Sequence, residues 1–124
     1  MTDIATAPAS ADRVAVSIKH ITKTFPGTRA LNDVSFTAGT VHALLGGNGC
    51  GKSTLIKILA GVYAADPGEA NVNVGGRILA AEDLTPARAH ELGFRFVHQN
   101  PAVFLDMTVA ENIAFGIGFA TRGL

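Results

Sequence analysis

The sequence predicts an α/β domain: a parallel core sheet preceded by a small antiparallel β part. Three observations predict it. Alternating apolar residues open the regular part of the chain before any helix signal appears. A short apolar run then passes straight into a Gly-rich loop and a helix. After that, helix, strand and helix signals follow in turn.

Each element has its own sequence reason. Residues 1–12 are rich in Ala, Thr, Ser and Pro, hold little that a core could bury, and read as a disordered tail. In 14–19, Val14, Val16 and Ile18 alternate with Ala15, Ser17 and Lys19, as in a half-buried strand. A second strand is expected over 31–37, with Leu31 and Phe36 facing the core, and Phe25-Pro26-Gly27 marks the turn between the two. The run VHALL at 41–45 is bounded by turn residues, as a buried parallel strand would be. In 52–60, Leu55, Ile58 and Leu59 fall at helical spacing and Gly61 stands at the stop. Asp66-Pro67-Gly68 reads as a turn and 71–74 as a short strand closed by Gly75-Gly76. Thr85 followed by Pro86 is an N-cap with proline in the first turn of a helix reaching Leu92, with Gly93 as its cap. A strand is expected over 94–97. A last helix starts at Val109, with Thr108 and Glu111 spaced as a capping box.

Composition narrows the function classes. Hydrophobic residues make up 48% of the 124, enough for one core. Ten basic and ten acidic residues balance, so the chain carries no electrostatic footprint for nucleic acid or anionic lipid. A single cysteine, Cys50, excludes an internal disulfide. The longest apolar stretch, 113–120, is too short to span a bilayer.

The chemistry concentrates at 46–53, GGNGCGKS, which fits G-x-x-x-x-G-K-[ST] in full and lies between a strand and a helix. Gly46, Gly47, Gly49 and Gly51 let the backbone turn tightly and approach phosphates. Successive N–H groups, those of Asn48 and Cys50 among them, then form an anion nest, and the helix N-terminus adds unpaired N–H groups and the positive end of its dipole. Lys52 supplies a charge for the terminal phosphates. The Ser53 hydroxyl suits magnesium, which prefers oxygen ligands, and Thr54 lies next along the helix. The expected ligand is a nucleoside triphosphate, ATP with Mg2+. A complete small P-loop kinase or GTPase is a competing reading, but no guanine-specific N/T-K-x-D motif is present. The stretch 102–106 ends in Asp106 as a Walker B strand would, yet Pro101 heads it and Met107, not an acid, follows.

From Phe25 onward the chain resembles the ATP-binding subunits of ABC transporters. ITKTFPGTRALNDVSFTAGTVHALLGGNGCGKSTLIKILAGVY, DPGEANVNVGGR, ARAHELGFRFVHQN and FLDMTVAENIAFG carry the likeness, over roughly residues 14–118. FPGTRAL and DMTVAENIAFG look most like importers of ribose-type monosaccharides. The resemblance makes 13–124 the N-terminal portion of such an ATP-binding domain. It implies that Phe25 stacks on the adenine, and that Gln99 is the Q-loop glutamine, which touches magnesium and reports nucleotide state to a membrane partner. Lys52 and Gln99 are then the expected catalytic residues, Ser53 and Gln99 the expected metal contacts, and His42 and His98 structural or surface residues. It further implies a transmembrane permease partner, a second ATP-binding subunit, and a cytoplasmic place at the inner face of the membrane. The signature LSGGQ, a true Walker B strand, the D-loop and the switch histidine do not occur in these 124 residues. Hydrolysis by them alone is expected to stay at background, because most of the transition-state stabilisers are missing. A non-catalytic module docking on the membrane subunit is the third reading.

Overall fold

The computed structural model describes residues 5–6, 14–97 and 103–115. Its backbone is a four-stranded antiparallel sheet with α1 against it. Strands β2 (Val16–Phe25) and β3 (Thr28–Ala38) form a long hairpin around the Pro26-Gly27 turn, where Gly27 takes φ +80°. β5 (Asn71–Val74) pairs with β2, and β6 (Arg77–Ala80) with β5, so the order is β3-β2-β5-β6. The expected turn at Gly75-Gly76 therefore joins a hairpin. The strand β6 after it lacked a signal, because Arg77 and Ile78 face solvent and only Leu79 and Ala80 are half-buried.

Simple alternation fails in the long hairpin for a physical reason. Ile18 and Ile21 are both fully buried although three residues apart. The pairing of β2 with β3 shifts between them, and His20 takes φ +57° while Asp33, across on β3, takes φ +51°. Such bulges re-phase a strand, so both isoleucines reach one core. Side chains hold the bulge. The His20 backbone N–H donates to Ser35 Oγ at 2.8 Å, that of Asp33 to Thr22 Oγ1 at 3.0 Å, and His20 Nδ1 lies 2.8 Å from Asp33 Oδ1. The expected strand start at Val14 moves to Val16, and Val14 is exposed.

Helix α1 (Lys52–Leu59) buries Leu55, Ile58 and Leu59 against Ile18, Ile21, Leu31 and Val72. It stops as the sequence predicts. Gly61, at φ +72°, donates its N–H to Ile58 O, and an added Cβ would lie 2.2 Å from Thr85 C. The same close approach seats the N-terminus of α2 (Pro86–Glu91), which Thr85 caps by accepting from the Arg88 N–H at 3.3 Å. Ala89 is its buried contact. A 3-10 turn, Ala81–Asp83, links β6 to this helix.

The antiparallel part is as expected, but no parallel pairing occurs among the described residues. In the run 41–45 only β4 (Leu44–Leu45) is strand, and it pairs antiparallel with β1 (Ala5–Thr6), which falls within the expected tail. Residues 94–97 are not strand either; Val97 is 98% exposed. The Arg95 guanidinium donates to His90 O and Phe94 O, turning this segment back towards α2. A parallel strand needs a parallel neighbour on which to lay its hydrogen bonds, and neither run has one among the described residues. The rest of the expected tail, and 98–102 with them, lie outside the described residues. Helix α3 (Val109–Phe115) buries none of its residues.

Candidate nucleotide-binding site

The Gly-rich loop hangs between β4 and α1, and β3 sets its shape from behind. Gly51 is the N-cap of α1 at φ +92°. A Cβ there would lie 2.6 Å from Ala30 O and 2.7 Å from Leu31 Cδ2. Only glycine allows the loop to enter the helix this close to the strand. Gly49, at φ +82°, makes the other left-handed turn. Gly46, Gly47, Asn48 and Gly49 are exposed, whereas Cys50 is buried, its N–H donating to Gly47 O at 3.4 Å.

No side chain caps α1, and its first turn holds no acidic residue. The first N–H groups of a helix have no partner within it, so this end is an uncapped cluster of donors with positive dipole character. Lys52 brings the charge. Its ammonium donates to Gly46 O at 2.6 Å and Gly47 O at 2.7 Å, and reaches Cys50 Sγ at 3.3 Å. The amine thus lies within the curl of the loop, held by carbonyls that an incoming phosphate would replace. Ser53 is exposed and Thr54 half-buried on the same first turn. Donor-rich backbone, an ammonium and a free hydroxyl at one helix end fit a phosphate chain with its cation.

Phe25 ends β2, the strand paired with the β3 on which the loop rests. Gly51 rests on Ala30 and Leu31 of β3, and Leu31 pairs with Lys23, two residues before Phe25 on β2. Phe25 is half-buried and is not among the hydrophobics packed against the core cluster. Its ring meets Tyr63 edge-on, centroids 5.4 Å apart. Tyr63 and Lys23 had no motif to mark them. Gln99, the expected metal contact and sensor, and His98 fall outside the described residues. His42 stacks on Phe36 at 5.2 Å, with both ring nitrogens buried and unpartnered.

Asp106, the aspartate that ends the stretch 102–106, sits in an exposed turn rather than at the end of a buried strand; Leu105 before it is 92% exposed. The turn serves α3 instead. Asn112 accepts from the Phe104 N–H and donates to Phe104 O, and Glu111 accepts from the Thr108 N–H and hydroxyl, both at 2.8 Å. These bonds from Thr108, the backbone one foremost, hold the Glu111 carboxyl below its ordinary range.

A protein-family model described as ABC transporter matches residues 31–122. The chain belongs to the ABC transporter family. Among curated members, it is 45% identical to the ribose import ATP-binding protein RbsA of a Jannaschia species, over 94% of this chain and 22% of that one. It is 48% identical to the autoinducer 2 import ATP-binding protein LsrA of an Enterobacter species, over 82% of this chain and 20% of that one. With the arabinose import ATP-binding protein AraG of Escherichia coli the figures are 47%, 82% and 20%. This ABC transporter chain thus spans about a fifth of the length of the curated relatives it matches. A solved nucleotide-free ATP-binding cassette of an ABC transporter superposes with a TM-score of 0.64 at 28% identity, covering 83% of this chain and 40% of the cassette. The α/β class and the antiparallel sheet at the N-terminus are those of an ABC cassette.

Proposed function

We propose that this chain provides the ATP- and Mg2+-binding part of an ABC importer, coupling ATP binding and hydrolysis to the uptake of a sugar or sugar-like solute. The single observation that carries the reading is the loop 46–53. It turns onto the uncapped end of α1 with the Lys52 ammonium inside it, in a chain of this family. The import relatives, named for ribose, arabinose and autoinducer 2, support the solute class.

Roles follow residue by residue. The backbone of Gly46, Gly47, Asn48, Gly49, Cys50 and Gly51 cradles the phosphates, Lys52 neutralises their charge, and Thr54 adds a hydroxyl. Ser53 holds the magnesium ion, which would offset charge on the phosphates, and Gln99 joins it there. Phe25 carries the base. The partners are a transmembrane permease subunit and a second ATP-binding subunit, at the inner face of the cell membrane. No helix among the described residues is long and apolar enough to cross a membrane.

These 124 residues bind without turning over, because the signature, a Walker B acid and a switch histidine are not among them. Phosphate release, followed with wild type and Lys52→Ala side by side, should stay at background in both. Lys52-dependent release would make the chain a complete small NTPase and overturn the assignment. Capture of the chain by permease-containing membranes, with and without ATP, tests the coupling role; equal recovery from membranes lacking a permease would contradict it.

A further inference from the structure

Phe25 is gripped by two residues that no motif marks. Tyr63 meets its ring at 74° with centroids 5.4 Å apart, and the Lys23 ammonium lies over the same ring, 5.3 Å from its centroid. Both are themselves fixed. Tyr63 packs against the core cluster, and its N–H and that of Val62 both donate to Lys57 O, at 3.2 and 2.8 Å, in the turn that ends α1. The Lys57 ammonium in turn sits 5.2 Å from the Tyr63 centroid. The Lys23 side chain is only 18% exposed, and its ammonium lies 3.9 Å from Asp66 Oδ1. Asp66 is tied to β2 by its own N–H, which donates to Thr22 O at 2.9 Å.

Long lysine side chains lose much rotamer freedom when held, so a lysine kept over a ring needs a compensating role. A ring plugging the core would need neither a cation above it nor an aromatic edge beside it. Phe25, outside that core, has both. A stacking platform does need its tilt fixed, because base stacking falls off as the planes diverge. A cation over one face also leaves the opposite face as the one to offer.

We infer that Lys23 and Tyr63 are positioning residues for Phe25, locking the tilt of its ring so that one face is presented to the purine of the bound nucleotide. The inference rests on the reading of Phe25 as the base-stacking residue. Asp66 acts one step further back, by keeping Lys23 over the ring.

The test compares ATP with inorganic tripolyphosphate, which engages the loop but has no base, each titrated with Mg2+ into the wild-type chain and into Phe25→Ala, Tyr63→Ala, Tyr63→Phe, Lys23→Met and Lys23→Arg. Tyr63→Ala and Lys23→Met should each weaken ATP roughly two- to tenfold and leave tripolyphosphate unchanged. Tyr63→Phe and Lys23→Arg should bind ATP as wild type does, since the ring and the charge are retained. In the Phe25→Ala background the Tyr63 and Lys23 changes should cost nothing more. Equal weakening of both ligands would mean a merely structural role and overturn the inference. So would tighter ATP binding by Lys23→Met, which would mean that the ammonium covers the base's own face. If Phe25→Ala leaves ATP affinity unchanged, the stacking reading itself falls, and the inference with it.

Discussion

Helices α1 and α3 are of similar length and carry similar apolar content, yet different forces hold them. α1 is uncapped by any side chain and depends on its surroundings: Gly51 is wedged against β3, Gly61 against Thr85, and Leu55, Ile58 and Leu59 are buried between them. α3 has a full capping box and a network around Asn112, while Val109, Ile113 and Phe115 are exposed. Val109 and Ile113, with Val103, Phe104, Leu105, Met107 and Asn112, line an open, largely apolar groove. Tertiary packing therefore fixes the helix that presents the phosphate loop, and local hydrogen bonds fix the other. The lack of a cap on α1 has a functional sense, since a capping side chain would take the donors a phosphate needs.

Core truncation should expose this contrast most strongly. Leu55→Ala removes a fully buried side chain and should cost about 2–5 kcal/mol of unfolding free energy, read by denaturant titration. Ile113→Ala on exposed α3 should change it by less than about 0.5 kcal/mol. Next in size is Gly51→Ala. Its Cβ meets strand backbone at 2.6 Å in a left-handed conformation, so a loss of about 1–3 kcal/mol and weakened ATP binding are expected together. Thr108→Ala removes the cap of α3 and should cost about 1 kcal/mol of helix stability, seen as faster amide exchange over 109–115, with ATP affinity unchanged. The smallest effect is on pH. Thr24, its side chain first and its backbone second, holds the Asp66 carboxyl below its ordinary 3.8 against an opposing desolvation, with the charges of Lys23 and Arg29 adding to the lowering. A lowered carboxyl stabilises the folded state above its ordinary value, and that contribution is lost as pH falls through the depressed one. Amide protection at Asp66, which donates to Thr22 O, should therefore hold at pH 5 and decline below about pH 3.8, and Asp66→Asn should abolish that decline.

Where local chemistry decides the outcome, the sequence is legible. The loop 46–53, the N-cap at Thr85, the capping box at Thr108 and the stops at Gly61 and Gly93 all follow from local chemistry: a polar side chain acting on nearby backbone, or a glycine free to take a positive φ. Positions set by distant partners are not legible in this way. Ile18 and Ile21 share a core only because a bulge at His20 shifts the register, and nothing in VSIKHIT announces a left-handed histidine. The runs at 41–45 and 94–97 have the composition of parallel strands, but pairing needs a neighbour that composition does not supply. Within the candidate site, the loop is readable from spacing, while the role proposed for Phe25 rests on resemblance. Tyr63 and Lys23 come to the ring through folding alone, from the end of α1 and from the bulged strand.

The measurement closest to the central claim is titration calorimetry of ATP with Mg2+ against three proteins: wild type, Lys52→Ala and Thr108→Ala. Removing the ammonium from the loop should weaken binding roughly tenfold or more, while uncapping α3 should leave it as in wild type. ATP binding that survives Lys52→Ala undiminished would contradict the account, because the nucleotide would then be held somewhere other than the loop at the end of α1.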